Sequence, residues 1–114
     1  MKYFITLSLL FSTIVFSQEN SSKSENVTFT VQGVCTMCKT RIETGAIRIK
    51  GVKYANWDVL SNKISLIYNS KKIKIDDIHK KISLLGHSTE KYEAPDEIYN
   101  SLPECCRYKT NQPH

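Results

Sequence analysis

Hydrophobic and polar positions change period several times along the chain. Val27, Phe29 and Val31 alternate with Thr28, Thr30 and Gln32, the two-residue repeat of a half-buried strand, and Gly33 ends it. From about residue 36 to 50 the period lengthens. Cys38, Ile42, Ala46 and Ile49 fall on one helical stripe, Lys39, Arg41, Glu43 and Arg48 lie mostly off it, and Gly51 is placed to stop the helix. Residues 52–58 predict a second strand with Ala55 and Trp57 on one face, and Ser61-Asn62 predicts a turn. Ile64, Leu66 and Tyr68 then alternate as a third strand. Beyond a polar connection at 69–74, Ile75, Ile78, Ile82 and Leu85 mark a second amphipathic helix, with Asp76 and Asp77 in its first turn and Gly86 at its end. Residues 88–93 predict a short fourth strand.

The order β-α-β-β-α-β over residues 27–93 predicts an α+β fold of the ferredoxin-like kind: a four-stranded antiparallel sheet with two helices on one face. The sequence holds no internal repeat. Residues 94–114 form a separate cysteine-containing tail. In it, residues 95–102 predict two helical turns, with Pro95 opening them, Asp96 and Glu97 beside it, and Pro103 stopping them.

Composition changes this picture at the start of the chain. The 114 residues are 40% hydrophobic, but part of that fraction lies in residues 3–16, which carry no charge and follow Met1-Lys2. This run is short for a bilayer span and is interrupted by Ser and Thr. It has the parts of a secretory signal peptide in order, with cleavage expected after Ser17. An uncleaved anchor is the alternative, and the absence of a cysteine near the cleavage point argues against a lipid anchor. Residues 18–26 are polar and predict a disordered leader. The expected destination is therefore outside the cytoplasm, periplasmic or extracellular. Losing Lys2 takes the formal charge from +5 to +4, a mild excess that could steer docking to an acidic partner. Nothing interleaves aromatic and basic residues as a nucleic-acid site would.

All four cysteines lie beyond the signal, as Cys35-Thr-Met-Cys38 and Cys105-Cys106. Cys35 falls in the loop after the first strand and Cys38 at the start of the first helix. The unpaired N–H groups of a helix N-terminus favour thiolates, as would Lys39 and Arg41 nearby. Two thiolates at this spacing converge on one soft ion: Cu(I) first, with Hg(II), Zn(II) and Cd(II) as alternatives. A closed tetrahedral zinc site would need two more ligands. The spacing alone also admits thiol-disulfide exchange or a structural disulfide. The chain lacks the length, βαβ start and facing proline of a thioredoxin-like enzyme, and so local a bridge would gain little from loop entropy.

Here the residues resemble the heavy-metal-associated domain family, which includes copper chaperones, domains of metal-pumping ATPases and the periplasmic mercury-binding protein. The likeness rests on Val31-Gln-Gly-Val-Cys-Thr-Met-Cys-Lys-Thr-Arg-Ile-Glu43, Gly51-Val52, Ile64-Ser-Leu66 and Leu85-Gly-His87. It implies that Cys35 and Cys38 are the metal ligands, the first more exposed and the second nearer the core. It also implies transfer by ligand exchange with a membrane metal transporter or another metal-binding domain, and no enzymatic activity. The family pattern Gly-Met-x-Cys is one residue shorter here, Gly33-Val34-Cys35, and lacks the buried Met that supports the loop. No Asp precedes Cys35 to hint at zinc or cadmium. Met37 is a weak candidate third ligand and more readily a packing or exposed residue.

His87 precedes the fourth strand, in a loop expected beside the metal loop, where it could complete a three-coordinate site; a solvent-facing or hydrogen-bonding role is the alternative. His79 is expected on the surface of the second helix, and His114 is terminal. The fourth strand should carry the chain about 20 Å from the metal loop at ~3.3 Å per residue. Eight helical residues then return about 12 Å. Cys105 and Cys106 could thus reach Cys35 and Cys38 to add thiolates, hold several ions or form disulfides; otherwise they belong to a free tail.

Overall fold

A computed structural model describes residues 23–114. The expected signal peptide, 1–17, and leader residues 18–22 lie outside the described residues. The elements are strand β1 (Ser24–Thr30), helix α1 (Thr36–Ile47), strands β2 (Val52–Trp57) and β3 (Lys63–Asn69), helix α2 (Ile75–Ser83), a short helix α3 (Asp96–Asn100) and a 3-10 turn at Glu104–Cys106. No helix among the described residues is long and apolar enough to cross a membrane.

The antiparallel sheet has the order β1-β3-β2, with β3 central. β3 follows the alternation expected of it: Ile64, Leu66 and Tyr68 are buried, with Lys63 and Ser65 exposed. In β2 the register slips between Val52 and Tyr54. That irregularity lets Val52 and Trp57, five positions apart, both turn inward although strict alternation would oppose them. The α1 stripe of Cys38, Ile42, Ala46 and Ile49 lies in the core with Ile78 and Ile82 of α2. Gly51 and Gly86 follow the two helices with φ of +100° and +104°, a conformation that costs glycine little.

The expected fourth strand is reduced to one bridge, Val31 to Thr89. The cause is local. Thr89 Oγ1 accepts the N–H groups of Lys91 and Tyr92, and Thr89 N–H donates to Tyr92 O at 2.8 Å, folding the segment into a turn. The Glu90 carboxylate takes the Thr30 N–H, capping the β1 edge with a side chain. The sheet is therefore three-stranded, with a trace of the fourth strand beside β1. β1 itself starts at Ser24, so residues 24–26 of the expected leader are paired with β3.

His79 does not lie on the surface as expected. It is 2% exposed, stacks on Phe29 with ring centroids 3.8 Å apart, and its Nδ1 is 2.9 Å from Thr89 Oγ1. Its position beside Ile78 and one turn before Ile82 puts it on the flank of the apolar stripe, which the sheet also covers. Burial and then the nearby Lys91 charge lower its pKa.

The tail packs onto this domain. Ala94, Tyr99, Leu102 and Cys106 join the core. Tyr108 OH donates to Gly86 O at 2.9 Å and accepts from Ser88 N–H at 3.0 Å. Leu102 fills the space over Gly86, where a Cβ would come within 2.8 Å of it. At the end of the chain His114 N–H donates to Val34 O.

Candidate metal centre

The loop that carries the cysteines is held from both sides. Trp57 Nε1 donates to Val31 O at 2.8 Å, and Val31 N–H donates to Asn62 O at 2.8 Å. Asn62 adopts φ of 59° in the β2–β3 turn, which presents its carbonyl and its side chain toward residues 31–33. Gly33 then passes so close to Trp57 that a Cβ would lie 2.8 Å from its ring. Val34 is buried, so an aliphatic side chain supports the loop although the family's Met is absent. Sequence reasoning does not single out Trp57 or Asn62 as site residues. The Ser61-Asn62 turn is visible in it, but not the contact of the Asn62 carbonyl with Val31.

Cys35 caps α1 with extended backbone, φ −148° and ψ 172°, and its carbonyl accepts the Lys39 N–H. Its Sγ lies 3.2 Å from Cys38 Sγ and 3.4 Å from Cys106 Sγ. All four cysteines are free. Cys38 and Cys106 are fully buried and Cys35 is 4% exposed, so the expected order of exposure within the pair holds, but by a narrow margin because the tail covers both. Cys105 is half-buried, with its Sγ 3.5 Å from Met37 Sδ at the surface. The sulfurs of Cys35, Cys105 and Cys106 lie within 4.8 Å of one another. Of the sequence candidates, the structure brings all four cysteines and Met37 to one place.

Burial pushes the Cys35 thiol up, but the Cys38 side chain and N–H, the Cys106 thiol and the Met37 N–H together outweigh it and bring its pKa from 9.0 to about 7. Burial raises Cys38, which stays the protonated partner. Burial and the Cys38 thiol push Cys106 up to about 11, against a downward pull from Arg41. Lys39 does not face the sulfurs as expected. Its Nζ bridges Glu43 Oε2, Asn56 Oδ1 and Trp57 O, tying α1 to β2.

His87 is fully buried, which excludes a solvent-facing role. Its Nδ1 lies 2.8 Å from the Gln32 carbonyl, so Nδ1 carries the proton and Nε2 is left with a lone pair. Nε2 is buried without a hydrogen-bond partner. Burial lowers the His87 pKa to about 4, with Arg41 adding to the effect against the Gln32 hydrogen bond. The ring is therefore neutral and locks the loop through Gln32. It stands outside the cluster of mutually close sulfurs.

The heavy-metal-associated domain matches residues 28–88, more than half of the chain. The chain belongs to the heavy-metal-associated domain family. Among solved structures it is similar to the N-terminal soluble domains of CopA from Bacillus subtilis, with 31% identity and a TM-score of 0.56 over 59% of this chain and 46% of that one. It is similar in fold to the metallochaperone CopZ, at 23% identity and TM-score 0.55 over 57% of this chain and 98% of that one. Oxidised MerP from Ralstonia metallidurans CH34 shares the fold at 16% identity, TM-score 0.57, over 60% of this chain and 96% of that one. The chain thus spans about half the length of the CopA domains. A comparison with curated protein sequences finds no match. Both the Cys-x-x-Cys pair and residue 87 fall inside the matched segment, whereas Cys105 and Cys106 lie outside it.

Proposed function

We propose that this protein is an exported carrier or scavenger of a soft metal ion, Cu(I) by preference, and that Cys35 and Cys38 are ligands. The observation that carries this reading is the pair of free sulfurs 3.2 Å apart at the start of α1, one of them with a pKa of about 7. A thiolate available near neutral pH binds a soft ion without a large proton cost. Copper is supported by the name of a similar structure at 26% identity, the N-terminal domain of a potential copper-translocating ATPase from Bacillus subtilis in the Cu(I)-loaded state. The softness of thiolate ligands keeps Hg(II), Zn(II) and Cd(II) as alternatives. The partner would be a membrane metal transporter or another metal-binding domain with paired cysteines. Residues 1–17 support export.

Thiol-disulfide exchange is the second reading, favoured by the same low Cys35 pKa, since a thiolate is also a nucleophile. Anaerobic titration of the reduced protein with Cu(I) and Zn(II), beside a disulfide-reduction assay, separates the two. One tight Cu(I) equivalent, lost in Cys35→Ser and in Cys38→Ser, supports the carrier. Metal-independent reductase activity with no retained Cu(I) would replace it with the second reading.

A further inference from the structure

The sulfurs near α1 form a sequence from the core to the surface. Cys38 Sγ is 3.2 Å from Cys35 Sγ, which is 3.4 Å from Cys106 Sγ; Cys105 stands within 4.8 Å of both Cys35 and Cys106 and 3.5 Å from Met37 Sδ. Cys38, Cys35 and Cys106 are buried, Cys105 is half-buried, and Met37 at the outer end is 51% exposed. We infer that Cys35, Cys105 and Cys106 form a three-thiolate site for one soft monovalent or divalent d¹⁰ ion, sharing Cys35 with the Cys-x-x-Cys pair. This inference rests on the metal-binding reading of Cys35.

Geometry favours three ligands over two. With metal–sulfur bonds of ~2.3 Å, a planar three-coordinate ion sets its sulfurs about 4 Å apart, and a linear ion sets them about 4.6 Å apart. Cys35 and Cys38, at 3.2 Å, are too close for the linear arrangement. Cys35 and Cys106, at 3.4 Å, need to part by only about 0.6 Å to reach the three-coordinate spacing, against about 1.4 Å for Cys35 and Cys38 to reach the linear one, and Cys105 lies within 4.8 Å of both Cys35 and Cys106.

The tail that supplies them is fixed rather than loosely attached. Leu102 seats on Gly86, and Tyr108 is bonded to Gly86 and Ser88. On the far side of the turn, Asn111 Nδ2 donates to Glu104 O at 2.7 Å, closing the turn that presents Cys105 and Cys106. A second observation points the same way. Arg41 acts on Cys106, and its Nη1 is buried with no hydrogen-bond partner. A guanidinium has only donors and stays charged, so a buried unpaired nitrogen calls for an anion. Three thiolates around a singly charged ion leave net negative charge next to it.

The site also provides an exit. An ion can pass from Cys38 and Cys35 to Cys106 and Cys105, and then to the surface beside Met37. Each move exchanges one metal–sulfur bond for another with no change in oxidation state.

The test uses the full, reduced chain loaded anaerobically with Cu(I), with X-ray absorption to count sulfurs and a Cu(I) chelator to measure retention. Wild type should hold one Cu(I) with three sulfurs. Cys105→Ser and Cys105→Ser/Cys106→Ser should each fall to two sulfurs and lose more than about tenfold in retention. Cys105 is half-buried, so the single variant decides the matter even if the double variant misfolds. Full retention in Cys105→Ser with an unchanged sulfur count would overturn the inference and leave the Cys-x-x-Cys pair as the whole site. Four sulfurs in wild type would also overturn it. A wild type that binds no Cu(I) would remove both this inference and the metal-binding reading.

Discussion

The two principal helices share one core but treat their N-termini differently. α2 starts with Asp76 and Asp77 in its first turn and ends with Lys80 and Lys81 in its last, so its dipole is answered at both ends by its own side chains. α1 has no acid in its first turn and no base in its last. Its N-terminal N–H groups are left to the Cys35 sulfur. The difference shows how the site is made: the protein withholds from α1 the carboxylates it gives α2, and a thiol takes their place. An acid beside Cys35 would compete for the same N–H groups and repel a thiolate. In α2 the charges serve folding; in α1 the Cys38 thiol, the free first-turn N–H groups of Cys38 and Met37, and the Cys106 thiol lower the Cys35 thiol toward neutral pH.

The largest expected effect removes the substitute. Cys35→Ser should lose Cu(I) retention by at least about 100-fold in chelator competition, while Asp77→Asn at the other helix should leave retention unchanged. Equal losses in both variants would erase the distinction between the helices.

The two buried histidines, His79 on α2 and His87 beyond its end, come next. His87 is held neutral, with its pKa lowered from 6.5 to about 4. The unfolded chain takes up this proton first, so its contribution is full above pH 6.5 and is lost as the pH falls toward 4. The decline should be on the order of 3 kcal/mol. Urea melts at several pH values measure it, and an NMR titration in which His87 protonates near its ordinary pKa of 6.5 would contradict it. His79, also lowered by burial, should contribute in the same direction.

A direct exchange of design tests the comparison itself. Thr36→Asp places an acid in the first turn of α1 and should raise the Cys35 pKa. Dipole effects of about 0.3–1 kcal/mol correspond to a rise of up to about 0.7. The pH dependence of iodoacetamide labelling reads this value. An unchanged profile would mean that the helix terminus is not what lowers the thiol. The smallest effect belongs to α2: Asp77→Asn should cost about 0.3–1 kcal/mol in stability, and less in high salt.

The framework is legible because its strongest repeats are simple. Ile64, Leu66 and Tyr68 on β3, and Ile75, Ile78 and Ile82 on α2, state their periods without competition. The fourth strand is not legible. Nothing in the 88–93 pattern weighs Thr89 Oγ1, which draws two backbone N–H groups into a turn, against one edge ladder. His79 is misplaced for a related reason, since periodicity finds the centre of a buried stripe more readily than its flank. Lys39 shows another limit: sequence distance puts its charge beside the cysteines, but a better set of acceptors at Glu43, Asn56 and Trp57 draws it away. Cys105 and Cys106 reach Cys35 as strand and helix lengths suggested, but by another path, since residues 88–93 form a turn and α3 covers only Asp96–Asn100. What arithmetic does not supply is the order of the sulfurs, which depends on how Leu102 and Tyr108 seat the tail.

The most direct test is residue-resolved NMR of the reduced protein before and after one equivalent of Cu(I). The expected result is shifted amides at residues 33–39 and at the Glu104–Cys106 turn, with the first turn of α2 and the Asn62 turn little moved. Amides of Cys35 and Cys38 that stay in place while the ion binds elsewhere would contradict a metal site at the start of α1.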